Sequence, residues 1–279
     1  MNKFYYFSII CSILISCSSN STRDFSTFES GKNNDLILLS KQLILELQEG
    51  QKVHNLIDDL ATFSPEKLDS SLINDAQKKA FWINVYNGAV QYLLIQDSTL
   101  YDNRSAFFSQ KRITVADQEL SLDEIEHGLI RTSKLKYSLG YVQNPLASDF
   151  EKRYRTEVTD ARIHFALNCG AKSCPKIKAL DAESINETLD LLSKQFLIES
   201  SEYKPQENTI YVSRLFRWFG GDFGGNAGTI EILKRYNILK QNTEPIVKYS
   251  DYDWSLSLHD RLPGDFYGPL LFWPTDDHD

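Results

Sequence analysis

Cys169 and Cys174 sit five positions apart in the string HFALNCGAKSCP that runs from His164 to Pro175, and a string of that composition can carry thiol chemistry. The other two of the chain's 4 cysteines, Cys11 and Cys17, lie near the N-terminus, so every thiol of the main body falls in this one loop. A cysteine is nucleophilic as its thiolate. A neighbouring imidazolium or the backbone N–H groups at a helix start lower its pKa from about 8.5 to about 3.5–7.5. Cys169 fits that role, because Gly170 follows it and a turn there can aim backbone N–H groups at a developing oxyanion. Cys174 lies between Ser173 and Pro175, and Pro175 suits the first position of a helix. The pair can instead close a disulfide, since the intervening loop is long enough and an exported protein meets an oxidising compartment. A metal site fits less well: C-x-x-x-x-C is not a usual zinc spacing, and only His127 and His164 offer themselves as further ligands.

A thiolate needs a base, and two histidines compete for that role. His164 precedes Cys169 by five residues in a run that reads as a strand, where odd spacing turns two side chains to opposite faces. His127 is distant in sequence, as the histidine of a thiol enzyme commonly is. Asp123, Glu124 and Glu126 are near it and could fix its ring. Ser121 and Glu124 stand in the S-x-x-E relation of a capping box, which gives Glu124 a structural task and leaves Glu126 as the orienting acid. Adjacent helical side chains diverge by about 100°, which argues against direct pairing of Glu126 with His127. Asn84 and Asn87, three apart in an apolar helix, must be hydrogen-bonded there; bracing a neighbouring loop is the expected task, orienting a catalytic ring the alternative.

The elements that hold these residues follow from periodicity. Apolar residues recur at helical spacing over 36–47, 53–63 and 71–95, so the N-terminal third is predicted helical. Residues 112–120 alternate around Ala116-Asp117 as a small hairpin, and a capped helix starting at Leu122 carries Glu126 and His127. The run 162–167 reads as a core strand. Then come a helix over 184–199, a strand over 209–212, a short aromatic helix over 214–219, a helix over 229–236 and a strand over 246–249. This order predicts an α+β fold, with a helical N-terminal part followed by a mixed, mainly antiparallel sheet and packed helices. The aromatic groups at Phe216-Arg217-Trp218-Phe219 and Tyr252-Asp253-Trp254 read as packing.

Residues 1–16 have the build of an export signal, with Lys3, an apolar run and small residues at the cut site. Leu14-Ile15-Ser16-Cys17 is similar to the lipobox of bacterial lipoproteins, which implies cleavage before Cys17 and its lipidation. Residues 17–34 then form a small, polar tether, and 35–279 a single domain of about 250 residues. The expected location is the bacterial cell envelope, periplasmic or at the outer membrane, with the lipid bilayer as one partner. A net charge of −8 with scattered Lys and Arg argues against a nucleic-acid partner.

Five strings, taken together, resemble the domain of unknown function 547 family: FWINVYN from Phe81, LDEIEHGLIR from Leu122, DARIHFALNCGAKSCP from Asp160, VSRLFRWFGGDF from Val212 and YDWSLS from Tyr252. They run in family order; residues 36–63 are the part least supported. In the family's plant members the position matching Cys169 is cysteine, that matching Cys174 is commonly serine, and an Ile-Glu-His string matches Ile125 to His127. The resemblance therefore favours Cys169 as a residue in its own right over a required disulfide. It further suggests a papain-like or transglutaminase-like thiol hydrolase. The resulting expectation is a cofactor-free hydrolase or acyl-transferase acting on peptide or amide bonds, with Cys169 as nucleophile, His127 as base and Glu126 orienting it. Asn84, Asn87, His164, Gly170 and Cys174 play supporting roles. The alternative is a non-catalytic envelope binding module with a structural Cys169–Cys174 disulfide.

Overall fold

The described chain opens with four helices, α1 (Asp35–Gln48), α2 (His54–Thr62), α3 (Pro65–Ser71) and α4 (Asp75–Gln96), in a computed structural model that describes residues 35–258. The expected export signal, lipidated Cys17 and tether lie outside the described residues, as does 259–279. The predicted helix over 71–95 is divided after Ser71. Asn74 ends the break by accepting the Gln77 amide on its side chain at 3.0 Å, which caps α4 and is worth about 1 kcal/mol. α4 is buried over nearly its whole length, so it lacks the polar face of a surface helix. It forms the axis around which α1 and the later segments pack.

After a 3-10 turn (Ser98–Asn103) and α5 (Arg104–Ser109), the predicted hairpin appears as β1 (Ile113–Val115) and β2 (Gln118–Leu120), antiparallel with Val115 opposite Gln118. Its two-residue turn holds Ala116 and Asp117 at positive φ, 49° and 60°, the pattern of a type I′ turn. The turn amides are satisfied by α2: Ala116 N–H donates to Leu60 O and Asp117 N–H to Ala61 O, both at 2.9 Å. Orphan carbonyls at a helix end are thereby answered by a docked turn.

The capping box at Ser121 and Glu124 forms, with Ser121 N–H donating to Glu124 Oε2 at 2.8 Å and Glu124 N–H to Ser121 Oγ at 3.1 Å. The helix it opens widens into a π-helical turn, Glu124–Ile130. Arg131 N–H reaches back five residues to Glu126 O at 2.9 Å. Such turns are rare and cluster at functional sites.

Beyond α6 (Asp149–Tyr154) comes a correction. Residues 162–167 are not a strand; Ala161–Phe165 is a 3-10 helix. Its start is set by Asp160, whose carboxylate accepts the Arg162 amide at 3.1 Å and also binds buried Lys79 Nζ at 2.9 Å. A short apolar run does not separate strand from helix by period alone, and the capping aspartate decides it. The argument that set His164 and Cys169 on opposite strand faces falls with the strand.

The remainder comprises α7 (Ile185–Ser200), β3 (Glu202–Lys204), β4 (Thr209–Val212), α8 (Leu215–Trp218), α9 (Gly225–Arg235) and β5 (Ile246–Tyr249). β3 pairs antiparallel with β4, and β4 pairs parallel with β5, Thr209 opposite Ile246. A parallel pair needs a crossover, which α8 and α9 supply. The architecture is the expected α+β mixture, with two small sheets, two of its three ladders antiparallel. One apolar cluster surrounds α4, and a second packs Phe165, Phe216, Phe223 and Leu233 against β4. Among the described residues no helix is long and apolar enough to cross a membrane.

Candidate functional site

Between the two clusters lies a cleft of about 460 Å³ whose walls include Glu126, His127, His164 and Cys169. The π-helical turn supplies the first two, and the 3-10 helix and following loop the others.

The cysteine loop is framed by asparagines. Asn87, on α4, donates from Nδ2 to Ala166 O and accepts the Asn168 amide on Oδ1, both at 2.8 Å. Asn168 then donates to Pro175 O at 2.7 Å and accepts the Gly170 amide at 2.9 Å. Gly170 has φ +83°, and a Cβ there would meet Leu94 Cδ1 at 2.9 Å, so the position excludes a side chain. Asn84 acts one turn earlier on another segment, exchanging two 2.9 Å hydrogen bonds with the backbone of Leu180.

Within this frame Cys169 and Cys174 form a disulfide. Cys169 is partly exposed and lines the cleft, whereas Cys174 is only 2% exposed. The Tyr252 hydroxyl is 3.3 Å from Cys174 Sγ and 3.5 Å from Cys169 Sγ. The expectation that amides near Gly170 form an oxyanion hole meets a correction. Gly170 N–H is taken by Asn168, and Cys169 N–H donates to Cys174 Sγ at 3.1 Å.

The two histidines are held differently. His164 donates from Nε2 to Asp222 Oδ2 at 2.8 Å, because a carboxylate can only accept; in the neutral ring Nδ1 then carries the lone pair. The ring stacks on Phe219 with centroids 3.9 Å apart. At His127, Arg131 Nη1 lies 2.8 Å from Nδ1. Arginine has no acceptor, so Nδ1 accepts and the ring proton is on Nε2, 3.6 Å from Asp123 Oδ1. Glu126 Oε1 is 3.6 Å from His127 Nδ1, beyond hydrogen-bond reach, while its Oε2 accepts the Tyr86 hydroxyl at 3.1 Å. Direct orientation of His127 by Glu126 therefore gives way to orientation by Arg131.

Arg131 ties the histidines together. It is fully buried, donates from Nε to Asp222 Oδ2 at 2.7 Å, and lays its guanidinium 4.5 Å from the Phe219 ring centre. Burial, then the Arg131 charge, pushes the His127 pKa down to about 3. Burial also lowers that of His164, with Asp222 opposing. For Asp222 burial works toward a raised pKa, but His164 and Arg131 bring it below the usual carboxylate range. Tyr86 is held well above its ordinary value by burial and by Glu126. At neutral pH the wall thus presents two neutral imidazoles on an ionised arginine–aspartate pair.

Sequence reading missed Asp222, Arg131, Tyr86 and Tyr252. The available signal was a lone acid inside the aromatic string after Phe216, since a carboxylate among aromatic side chains needs partners. Trp218, Tyr252 and Trp254, read as packing, do pack on one another, with centroids 4.8–5.5 Å apart. They also line the cleft.

A family described as "Protein of unknown function, DUF547" matches residues 70–197, a stretch that reaches from the end of α3 into α7 and contains Asn84, Asn87, Glu126, His127, His164 and both loop cysteines. No curated protein and no solved structure matches the chain.

Proposed function

Starting from the match of residues 70–197 to the DUF547 family, we propose that the chain is a cysteine-dependent acyl-transfer enzyme acting on a peptide or other amide bond. The observation that carries this reading is the convergence of Cys169, His164, His127 and Glu126, from two separate segments, on one cleft. In the reduced form the Cys169 thiol passes its proton to His164 Nδ1, and Asp222 stabilises the imidazolium through Nε2. The thiolate attacks the carbonyl carbon, and the carbonyl electron pair moves to oxygen. His127, which the sequence suggested as the base, is here the donor: Arg131 occupies Nδ1, which leaves Nε2–H to serve the developing oxyanion. Collapse expels the amine, which takes the proton from His164. Water activated by the same ring then releases the acyl group. We further propose that a lipid on Cys17 holds the enzyme in a bacterial envelope.

The test uses Cys174→Ser, in which Cys169 cannot be tied up. Its Cys169 should be alkylated at neutral pH faster than a free model thiol, and p-nitrophenyl acetate should leave an acetyl group on it. Labelling at the rate of a free thiol with no acyl-enzyme would overturn the reading. A second reading, a binding cleft stapled by a permanent disulfide, is favoured by the sulfur–sulfur bond itself. It requires that the bond survive reductants that leave the fold intact.

A further inference from the structure

We propose that the Cys169–Cys174 disulfide is an exchange site, opened by a dithiol that enters the cleft, attacks Cys169 Sγ and expels Cys174 as a thiolate. Attack is directed by access. Cys169 lines the cleft, while Cys174 lies behind it at 2% exposure, so one sulfur meets the reagent and the other must leave.

The surroundings of Cys174 suit a leaving group. Cys169 N–H points at its Sγ from 3.1 Å, and the Tyr252 hydroxyl lies 3.3 Å away. Both can donate to a thiolate, a far better acceptor than a disulfide sulfur. Such donation lowers the thiol pKa, and a thiol of lower pKa leaves faster.

The loop does not depend on the sulfur–sulfur bond for its shape. Asn168 ties Gly170 to Pro175. Lys172 N–H donates to Ser255 O at 2.9 Å, Ser173 N–H to Asp253 O at 3.2 Å, and Ser257 N–H to Gly170 O at 2.9 Å. The bond can therefore open and close within a standing frame, which keeps the two sulfurs near each other in both states.

One thiolate of the dithiol bonds to Cys169 Sγ, and the electron pair of the old bond goes to Cys174. The second thiolate attacks the reagent's own sulfur in the mixed disulfide, releasing Cys169 as a thiolate. The dithiol leaves as a disulfide, having delivered two electrons; an oxidised reagent runs the steps backwards. The consequence, that reduction switches on acyl transfer, rests on the function proposed above; the exchange itself does not.

The experiment treats the folded full chain with dithiothreitol at pH 7, quenches with iodoacetamide and counts labels by mass spectrometry, with tryptophan fluorescence reporting the fold. Cys169 and Cys174, read from their own peptide, should both be labelled while the fluorescence stays native. Cys174→Ser should form a mixed disulfide with oxidised glutathione at least about tenfold faster than Cys169→Ser, as a difference in access implies. Tyr252→Phe should slow opening by about tenfold or more, the effect of losing one hydrogen bond to a charged group. Labelling of Cys169 and Cys174 only after denaturation, or equal rates for Cys174→Ser and Cys169→Ser, overturns the proposal. If exchange fails while Cys174→Ser still forms an acyl-enzyme, only the exchange falls. If exchange proceeds and Cys169 never acylates, only the enzymatic reading falls.

Discussion

His164 and Asp222, 58 residues apart, meet through a single 2.8 Å hydrogen bond from Nε2 to Oδ2, with side-chain exposures of 1% and 0%. The same Oδ2 receives Arg131 Nε at 2.7 Å, so one oxygen anchors both the imidazole and the guanidinium behind the cleft. Removing this carboxylate leaves a buried arginine without its counter-ion, a loss of about 3–5 kcal/mol. Asp222→Ala should therefore show a strongly lowered urea midpoint. Asp222→Asn preserves the volume, and in a Cys174→Ser background it should slow alkylation of Cys169 at neutral pH. Unchanged alkylation with a native fold would remove His164 from the proton path.

The buried histidines make stability depend on pH in a definite direction. His127 has a folded pKa of about 3, against about 6.5 in the unfolded chain. Between those values the unfolded state binds the extra proton, so stability rises with pH. It is complete above about 6.5 and is lost as pH falls toward 3, at up to about 1.4 kcal/mol per unit. His164, lowered in the same sense, adds to the slope. Asp160, held below its ordinary range as Lys79 and Arg162 overcome the effect of burial, contributes only below about pH 4. Urea unfolding at pH 7.0, about 6 and about 5 should show the decline, and His127→Gln should make it shallower.

The order of elements was largely legible because it rests on period and capping. β4 and β5 begin and end where alternation placed them, and the hairpin turns at Ala116-Asp117. The error at 162–167 came from an apolar run too short to show its period, whose capping aspartate is busy with Lys79, a residue 81 positions away. The site divides along the same line. Cys169, His127 and Glu126 are visible as residue types, and the structure sets them around one cleft. Which nitrogen of each ring is free is decided by Arg131 and Asp222, a pair 91 positions apart, and no local pattern encodes that contact.

Lys79, Asp160 and Arg162 form a second buried charge group, with Arg162 Nη2 2.7 Å from the same Asp160 oxygen that Lys79 Nζ reaches at 2.9 Å. It fixes the start of the 3-10 helix that presents His164. Asp160→Ala removes the carboxylate that Arg162 shares with a lysine of zero side-chain exposure, and thermal melting should show a loss of about 3–5 kcal/mol. A small change would mean that Asp160 is not what holds this charge group in place.

Asn84 and Asn87 share a face of α4 but hold different segments, and that separates structure from function. Asn84 grips Leu180, away from the cleft, while Asn87 grips Ala166 and Asn168, the residues leading into Cys169. Each alanine variant leaves buried backbone groups unpaired, at about 1–3 kcal/mol per group, so both should lower the urea midpoint comparably. Only Asn87→Ala frees the loop that carries Cys169. In a Cys174→Ser background it should alter the alkylation rate of Cys169, while Asn84→Ala leaves that rate unchanged. Equal effects of the two variants on the rate would show that Cys169 responds to global stability alone, and that the asparagine frame does not position it.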